Sequence, residues 1–239
     1  MVCDIQISGL IKAFDGVRAV DGLTLCIEEA ELVGFIGPDG AGKTTTMRLL
    51  CGLLSPTAGT CVVAGYDVRN KVREIRSIIG YMPQRFSLYP DLTVSENLRF
   101  FADLYGVSGT TRSQRIDRLY EFNRLKAFEN RRAADLSGGM KQKLALSCIL
   151  IHKPRVLLLD EPTTGVDPVS RLEFWQILAE LHGEGVTIFV STPYMDEADM
   201  CDRVALIHRG RLLAVDKPKK LIAMYKRDHL EDVFIELMT

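Results

Sequence analysis

Apolar and polar residues alternate through the first thirty positions, and that period of two predicts strands rather than helices. Ile5 and Ile7, then Val17 and Ala19, then Leu23, Leu25 and Ile27 read as antiparallel strands joined at Phe14-Asp15-Gly16. Residues 31–36 form a short apolar run of strand length, and residues 45–50 continue as a helix. Ser55-Pro56-Thr57-Ala58-Gly59 is a turn, followed by a strand at 60–64, a helix at 70–77 and a strand at 78–82. From about 90 to 134 the pattern changes to helical periods. Thr93-Val94-Ser95-Glu96 opens that block as a capping box, with Thr93 as N-cap. A further helix follows Gly138-Gly139 and runs to 152, so residues 90–153 are predicted to be a helical subdomain inserted between strand-bearing regions. Residues 156–160 are continuously apolar up to a terminal aspartate, as in a strand buried on both faces of a parallel sheet. A helix at 169–181, a strand at 186–190, a helix at 195–200 and a strand at 204–207 then alternate. Residues 218–239 read as a helical tail.

Between the strand at 31–36 and the helix at 45–50 lies Gly37-Pro38-Asp39-Gly40-Ala41-Gly42-Lys43-Thr44-Thr45, which fits G-x-x-x-x-G-K-[ST] at every fixed position. Glycines let backbone N–H groups curl around phosphate oxygens, and the helix N-terminus adds partial positive charge. Lys43 reaches the β- and γ-phosphates, and the Thr44 hydroxyl ligates Mg²⁺. The expected fold class is therefore α/β: a P-loop NTPase core with a mostly parallel sheet, an N-terminal antiparallel β-subdomain and an inserted α-helical subdomain.

Composition narrows the partners. With 239 residues, 26% charged and a formal net charge of −1, the chain has no global field to draw it to nucleic acid. No apolar run approaches membrane-span length, and the N-terminus lacks a signal-peptide pattern. A cytoplasmic location is expected, with peripheral docking on a membrane protein. The six cysteines, Cys3, Cys26, Cys51, Cys61, Cys148 and Cys201, show no C-x-x-C pair or zinc spacing. They are expected to be reduced, buried, small apolar side chains.

Two further motifs carry chemistry. Val156-Leu157-Leu158-Leu159-Asp160-Glu161 places two carboxylates at the end of a buried strand, where Asp160 can hold Mg²⁺ through water and Glu161 can polarise an attacking water. Leu136-Ser137-Gly138-Gly139-Met140-Lys141-Gln142 makes a second anion-binding helix start some ninety residues after the first. Two cradles for one nucleotide are economical only if each completes a site with a second domain. On these motifs, over most of its length, the chain resembles the ATP-binding domain of an ATP-binding-cassette transporter. Its finer wording is similar to ATPase subunits of multidrug and antibiotic exporters, above all the N-terminal half of tandem subunits.

The resemblance implies roles. Residues 37–45 are the P-loop, with Lys43 and Glu161 catalytic; Gln84 in Tyr81-Met82-Pro83-Gln84 is the Q-loop glutamine that senses Mg²⁺ and links ATP to the membrane partner. Ser137, Gly138, Gly139 and Gln142 belong to the signature, Asp160 is the metal-associated aspartate, and Asp167 crosses the dimer interface. Phe14 falls where the family stacks an aromatic on adenine; a core aromatic at a hairpin turn is the alternative. One position departs. Where the family places a γ-phosphate-contacting histidine, within Ser191-Thr192-x-Tyr194-Met195-Asp196-Glu197, this chain has Pro193, which offers no side-chain donor.

The implied function is an ATP-binding and hydrolysing subunit that powers export of a drug-like or hydrophobic substrate through a separate membrane permease. It would pair with a second cassette, homologous or in the same longer chain, and hydrolyse slowly at its own site because of Pro193. The rivals are a soluble cassette ATPase acting on nucleic acid or ribosomes, and a regulatory module that only holds ATP. The chain ends near Leu230-Glu231-Asp232-Val233-Phe234, where such subunits continue, so it is expected to be part of a longer polypeptide.

Overall fold

Inward-facing Ile5, Ile7 and Leu10 alternate with exposed Gln6 and Ser8 along β1 (Cys3–Phe14), and Leu23, Leu25 and Ile27 do the same along β2 (Val17–Glu28). The computed structural model describes residues 3–85 and 88–238. Asp15 and Gly16 both take positive φ, 47° and 85°, the twist that suits a two-residue hairpin. β4 (Ala58–Val63) and β5 (Tyr66–Asp67) complete an antiparallel sheet in the order β2-β1-β4-β5. The two-residue β5 has no periodicity by which the sequence could announce it.

The second sheet is the core. β3 (Leu32–Ile36), β6 (Ile79–Met82), β7 (Val156–Asp160), β8 (Thr187–Thr192) and β9 (Arg203–His208) run parallel, with β10 (Arg211–Asp216) antiparallel at one edge, in the order β10-β9-β3-β8-β7-β6. Every residue of β3, β7 and β8 is buried, which explains the apolar runs at 32–36, 156–159 and 188–190. Alternate residues feed two separate cores. Val33, Phe35, Val156, Leu158, Phe189 and Ile207 face the antiparallel sheet and α1 (Lys43–Leu50). Leu32, Ile36, Leu157, Leu159, Ile188 and Leu206 face the remaining helices. β10 was not foreseen, because its residues are half-exposed and do not alternate.

α2 (Val72–Ile78) leads into β6, and the chain between β6 and β7 carries α3 (Val94–Leu104), α4 (Gly109–Asn123) and α5 (Gly138–Leu150). The capping box is present: Glu96 N–H donates to Thr93 Oγ1 at 3.2 Å, and Thr93 N–H to Glu96 Oε2 at 2.8 Å. α6 (Pro168–Gly183), α7 (Pro218–Tyr225) and α8 (Leu230–Met238) pack on the same face of the core sheet.

Two expectations are corrected. Residues 195–200, expected as a helix, form a 3₁₀ turn, Met195–Met200, in which exposed Asp196 and buried Glu197 both pair with Arg171 of α6. Cys3 and Cys26 are not reduced buried thiols but a disulfide. The β1–β2 register pairs Gln6 with Cys26, and an irregularity near Cys3 brings the two Cα atoms to 5.8 Å, within reach of the bond. Cys51, Cys61, Cys148 and Cys201 are free and buried as expected, and burial raises their thiol pKa values, Cys61 to about 12.

Leu157 is the second residue of β7, fully buried, with its side chain against Gly80 of the neighbouring strand. Leu157→Ala should cost about 2–5 kcal/mol, read as a lower midpoint in urea unfolding with an unchanged slope.

Candidate functional site

Four adjacent parallel strands deliver the chemistry to one edge. β3 ends at Ile36 before Gly37, β7 ends at Asp160, β8 ends at Thr192, and β6 ends at Met82 before Pro83-Gln84. Their register sets Ile36 beside Thr192, Asp160 beside Ser191 and Met82 beside Leu159. The carboxyl ends of parallel strands are where ligands bind in such sheets.

The glycine loop has little freedom to be anything else. A Cβ on Gly37 would collide with the carbonyl of Ile207, and one on Gly42, at φ 105°, with the carbonyl of Ala19. Gly42 is the N-cap of α1 and supplies no side-chain cap, and the first turn contains no acid. The N–H groups and positive end of α1 are thus left for an outside anion. Pro38, Asp39 and Gly40 are exposed; Ala41 is buried, donating to Pro38 O at 3.2 Å and accepting from Gly210 N–H at 2.9 Å.

Lys43 and Glu161 meet beneath this loop, 3% and 5% exposed, with Nζ 3.1 Å from Oε1. Lys43 Nζ also donates to the carbonyls of Gly37 at 2.7 Å and Pro38 at 2.9 Å. Gln84 Nε2 donates to Glu161 Oε2 at 2.9 Å. Glu161 holds left-handed backbone, φ 52°, and its N–H donates to the carbonyl and the hydroxyl of Ser191, both at 3.1 Å. Left-handed backbone costs a non-glycine residue about 1–2 kcal/mol. Glu161 is over-determined by its partners.

Asp160 Oδ1 accepts from Thr44 Oγ1 at 3.1 Å and Ser191 Oγ at 2.9 Å, while its Oδ2 is buried with no hydrogen-bond partner. Burial raises the Asp160 pKa above the usual carboxylate range, and the two hydroxyls offset only part of that. Glu161 has the Lys43 ammonium, whereas Asp160 has hydroxyls alone and an unpartnered Oδ2, which suits a hard oxygen-seeking cation beside Thr44. Phe14, Ala19, Gly40, Gly42, Lys43, Thr44, Thr45 and Glu161 line one open cleft, with Phe14 44% exposed at its rim and Lys12 Nζ 4.9 Å from its ring centre.

Ser137, Gly138, Gly139, Gln142 and Asp167 do not reach this cleft. Ser137 caps α5 by accepting from Met140 N–H at 3.3 Å; Gly138 is exposed with open space where a Cβ would lie, and Gly139 is pressed against Ser170 of α6. Gln142 and Gly138 line a different cleft, which Gln84 shares. Asp167 caps α6 by accepting from Ser170 N–H at 2.9 Å, a bond that lowers its pKa. Pro193 follows β8, and next to it Tyr194 N–H donates to Thr192 Oγ1 at 3.0 Å. Sequence reading missed Ser191 as the residue joining Asp160 to Glu161. A serine two residues before Pro193 is unremarkable until the β7–β8 register is known.

A family profile described as "ABC transporter" matches residues 20–164. The chain is 51% identical over 219 residues to the probable multidrug ABC transporter ATP-binding protein YbhF of Escherichia coli K12, covering 91% of this chain and 38% of that protein. It thus spans about two fifths of that relative's length. It is 38% identical over 223 residues to the Nod factor export ATP-binding protein I of Cupriavidus metallidurans CH34, covering 93% and 74%. Among solved structures, an ATP-binding subunit of an ABC transporter superposes with a TM-score of 0.87 at 28% identity, covering 98% and 99% of the two chains. The dimeric bacterial ABC transporter cassette MJ0796 superposes with a TM-score of 0.80 at 27% identity, covering 89% and 98%.

Because ionised Asp160 is disfavoured in the folded state, its cost appears as pH rises above the ordinary carboxylate pKa, where the unfolded chain already ionises. Asp160→Asn should therefore stabilise the nucleotide-free protein at neutral pH by about 1 kcal/mol. The gain should shrink as pH falls towards that ordinary pKa. Thermal melts of both proteins between acid and neutral pH read the difference.

Proposed function

The chain belongs to the ABC transporter family, and from that premise we propose that it is the ATP-binding and hydrolysing subunit powering export of a drug-like or hydrophobic substrate through a separate membrane permease. One observation carries the reading. Lys43, Thr44, Asp160, Glu161 and Gln84, from three different segments and joined through Ser191 of a fourth, form one continuous network at the strand ends. The substrate class rests on relatives named for multidrug and Nod factor export.

In this reading the loop of residues 37–45 wraps the phosphates, and Lys43 exchanges its carbonyl partners for phosphate oxygens. Thr44, Asp160 and Gln84 would hold Mg²⁺, which when bound neutralises phosphate charge. Glu161, released from Lys43, orients water and takes its proton. Phe14, exposed at the rim, stacks the adenine. Ser137, Gly138, Gly139 and Gln142 are turned away from this chain's own cleft, which suits a signature that serves a second cassette; Asp167 lies on the same interface. The solved dimer of a related cassette supports that arrangement.

Among the described residues no helix is long and apolar enough to cross a membrane, consistent with a subunit docked from the cytoplasmic side. Residues 84–105 are the proposed docking surface, where exposed Tyr89 and Phe100 pack at 4.4 Å between ring centres. Phe86 and Ser87 within it lie outside the described residues. We place residues 1–239 in one ATP-binding domain with its helical subdomain at 90–153 and tail at 218–239.

Lys43→Ala should weaken Mg-ATP binding about ten- to a hundredfold, the size of a lost charge-assisted bond. Nucleotide titration with a circular-dichroism control for folding checks this, and unchanged affinity would sink the P-loop assignment. Pro193 removes one side-chain donor to the transferring phosphoryl group, beside the Lys43 ammonium that remains, a loss worth on the order of 10²–10³ in rate or ~3–4 kcal/mol. This chain's own site should bind ATP firmly and turn it over slowly, while the partner's site carries most of the flux. Steady-state ATPase assays of the wild type beside Pro193→His should show a large gain in the variant. Brisk wild-type turnover with no gain would refute the asymmetry.

A further inference from the structure

A second charge cluster, centred on one buried carboxylate, lies beside the site and is built from residues the proposed chemistry leaves unused. Glu197, in the 3₁₀ turn after β8, is 3% exposed. Its Oε1 accepts from Thr163 Oγ1 at 2.8 Å and pairs with Arg171 Nη2 at 3.2 Å, while Oε2 is buried without a hydrogen-bond partner. Arg171 Nη2 also bonds Asp196 Oδ2 at 3.0 Å, and its guanidinium lies 4.4 Å from the ring centre of Tyr194. The backbone of Arg171 is tied to Asp167, whose carbonyl accepts its N–H at 2.9 Å. Thr163 stands two residues beyond Glu161. One carboxylate thus fastens three segments: the loop carrying Glu161, the start of α6 below Asp167, and the turn immediately after Pro193.

We infer that Glu197, held by Thr163 and Arg171, is a positioning residue that sets the backbone at position 193 against the loop of Glu161. A carboxylate this deeply buried is held by two partners on one oxygen, so loosening either side frees both segments together. Arg171 acts twice, clamping Glu197 through charge and Tyr194 through its ring. Position 193 is then held in place whether or not it carries a donor. Its catalytic consequence rests on the ATPase reading; its structural content does not.

The test is amide hydrogen exchange on the full nucleotide-free chain. Glu197→Gln keeps an acceptor for Thr163 and removes the charge. It should speed exchange about tenfold in residues 161–167 and 192–198 together, with the P-loop helix and the β3 and β7 amides unchanged. Thr163→Val, which removes only the hydrogen bond, should do the same to a smaller extent, and it carries the test if Glu197→Gln does not fold. Unchanged exchange in either segment would overturn the inference, and so would a uniform rise across the core strands, which marks a merely stabilising role. In a Pro193→His background, Glu197→Gln should lower kcat about tenfold with KM for ATP unaltered, and an equal rise in KM would count against positioning. If Pro193→His itself shows no gain, the slow-site reading fails while the exchange result still decides the role of Glu197.

Discussion

A parallel sheet covered on both faces has no room for polar side chains along its strands. In β3, β7 and β8 every residue is buried, so ionisable groups can enter only where the strands stop. Asp160 and Glu161 stand at that boundary, as do the glycine loop after β3, Gln84 after β6 and Ser191-Thr192 at the end of β8. The division of alternate side chains between two apolar cores also locks register, since a one-residue slip would exchange the two faces. The geometry of the site is thus a by-product of how the sheet is buried.

That edge concentrates charge at some cost. A buried pair such as Lys43–Glu161 is a poor source of net stability, because desolvation of two ions offsets most of their attraction. Asp160, with an orphaned oxygen and a raised pKa, adds an uncompensated acid. Glu161 stores backbone strain in the same place. The stability comes from the two cores. A cluster that is expensive and strained is the mark of a functional site rather than of a stabilising one.

The second cradle differs in how it is finished. Ser137 caps its own helix, and Gly138 faces open space, so this N-terminus is exposed rather than enclosed. Gly139 and Ser170 join it to α6, and through Arg171 and Glu197 α6 reaches the turn behind Pro193. The exposed start of α5 and the turn behind Pro193 are therefore linked by packed, hydrogen-bonded residues rather than by a flexible loop.

Much of this was legible in the residues. Continuous apolar runs announced the buried strands, the Thr93–Glu96 capping box announced the start of α3, and the glycine pattern before Lys43-Thr44 announced a tight loop closing on the start of α1, because each depends on neighbours a few positions apart. β5 and β10 were not legible, since half-exposed edge strands carry no periodic signal even though each pairs with the strand just before it. The Cys3–Cys26 bond was hidden because the β1–β2 register decides which thiols meet. Ser191 bridging Asp160 and Glu161, and Glu197 gathering Thr163 and Arg171, likewise exist only after strand order is set. The sequence by itself determined which residue types could do chemistry and the local elements that bear them. The tertiary structure decided which of them touch, because non-local contacts are chosen by packing and register, and neither is written in local spacing.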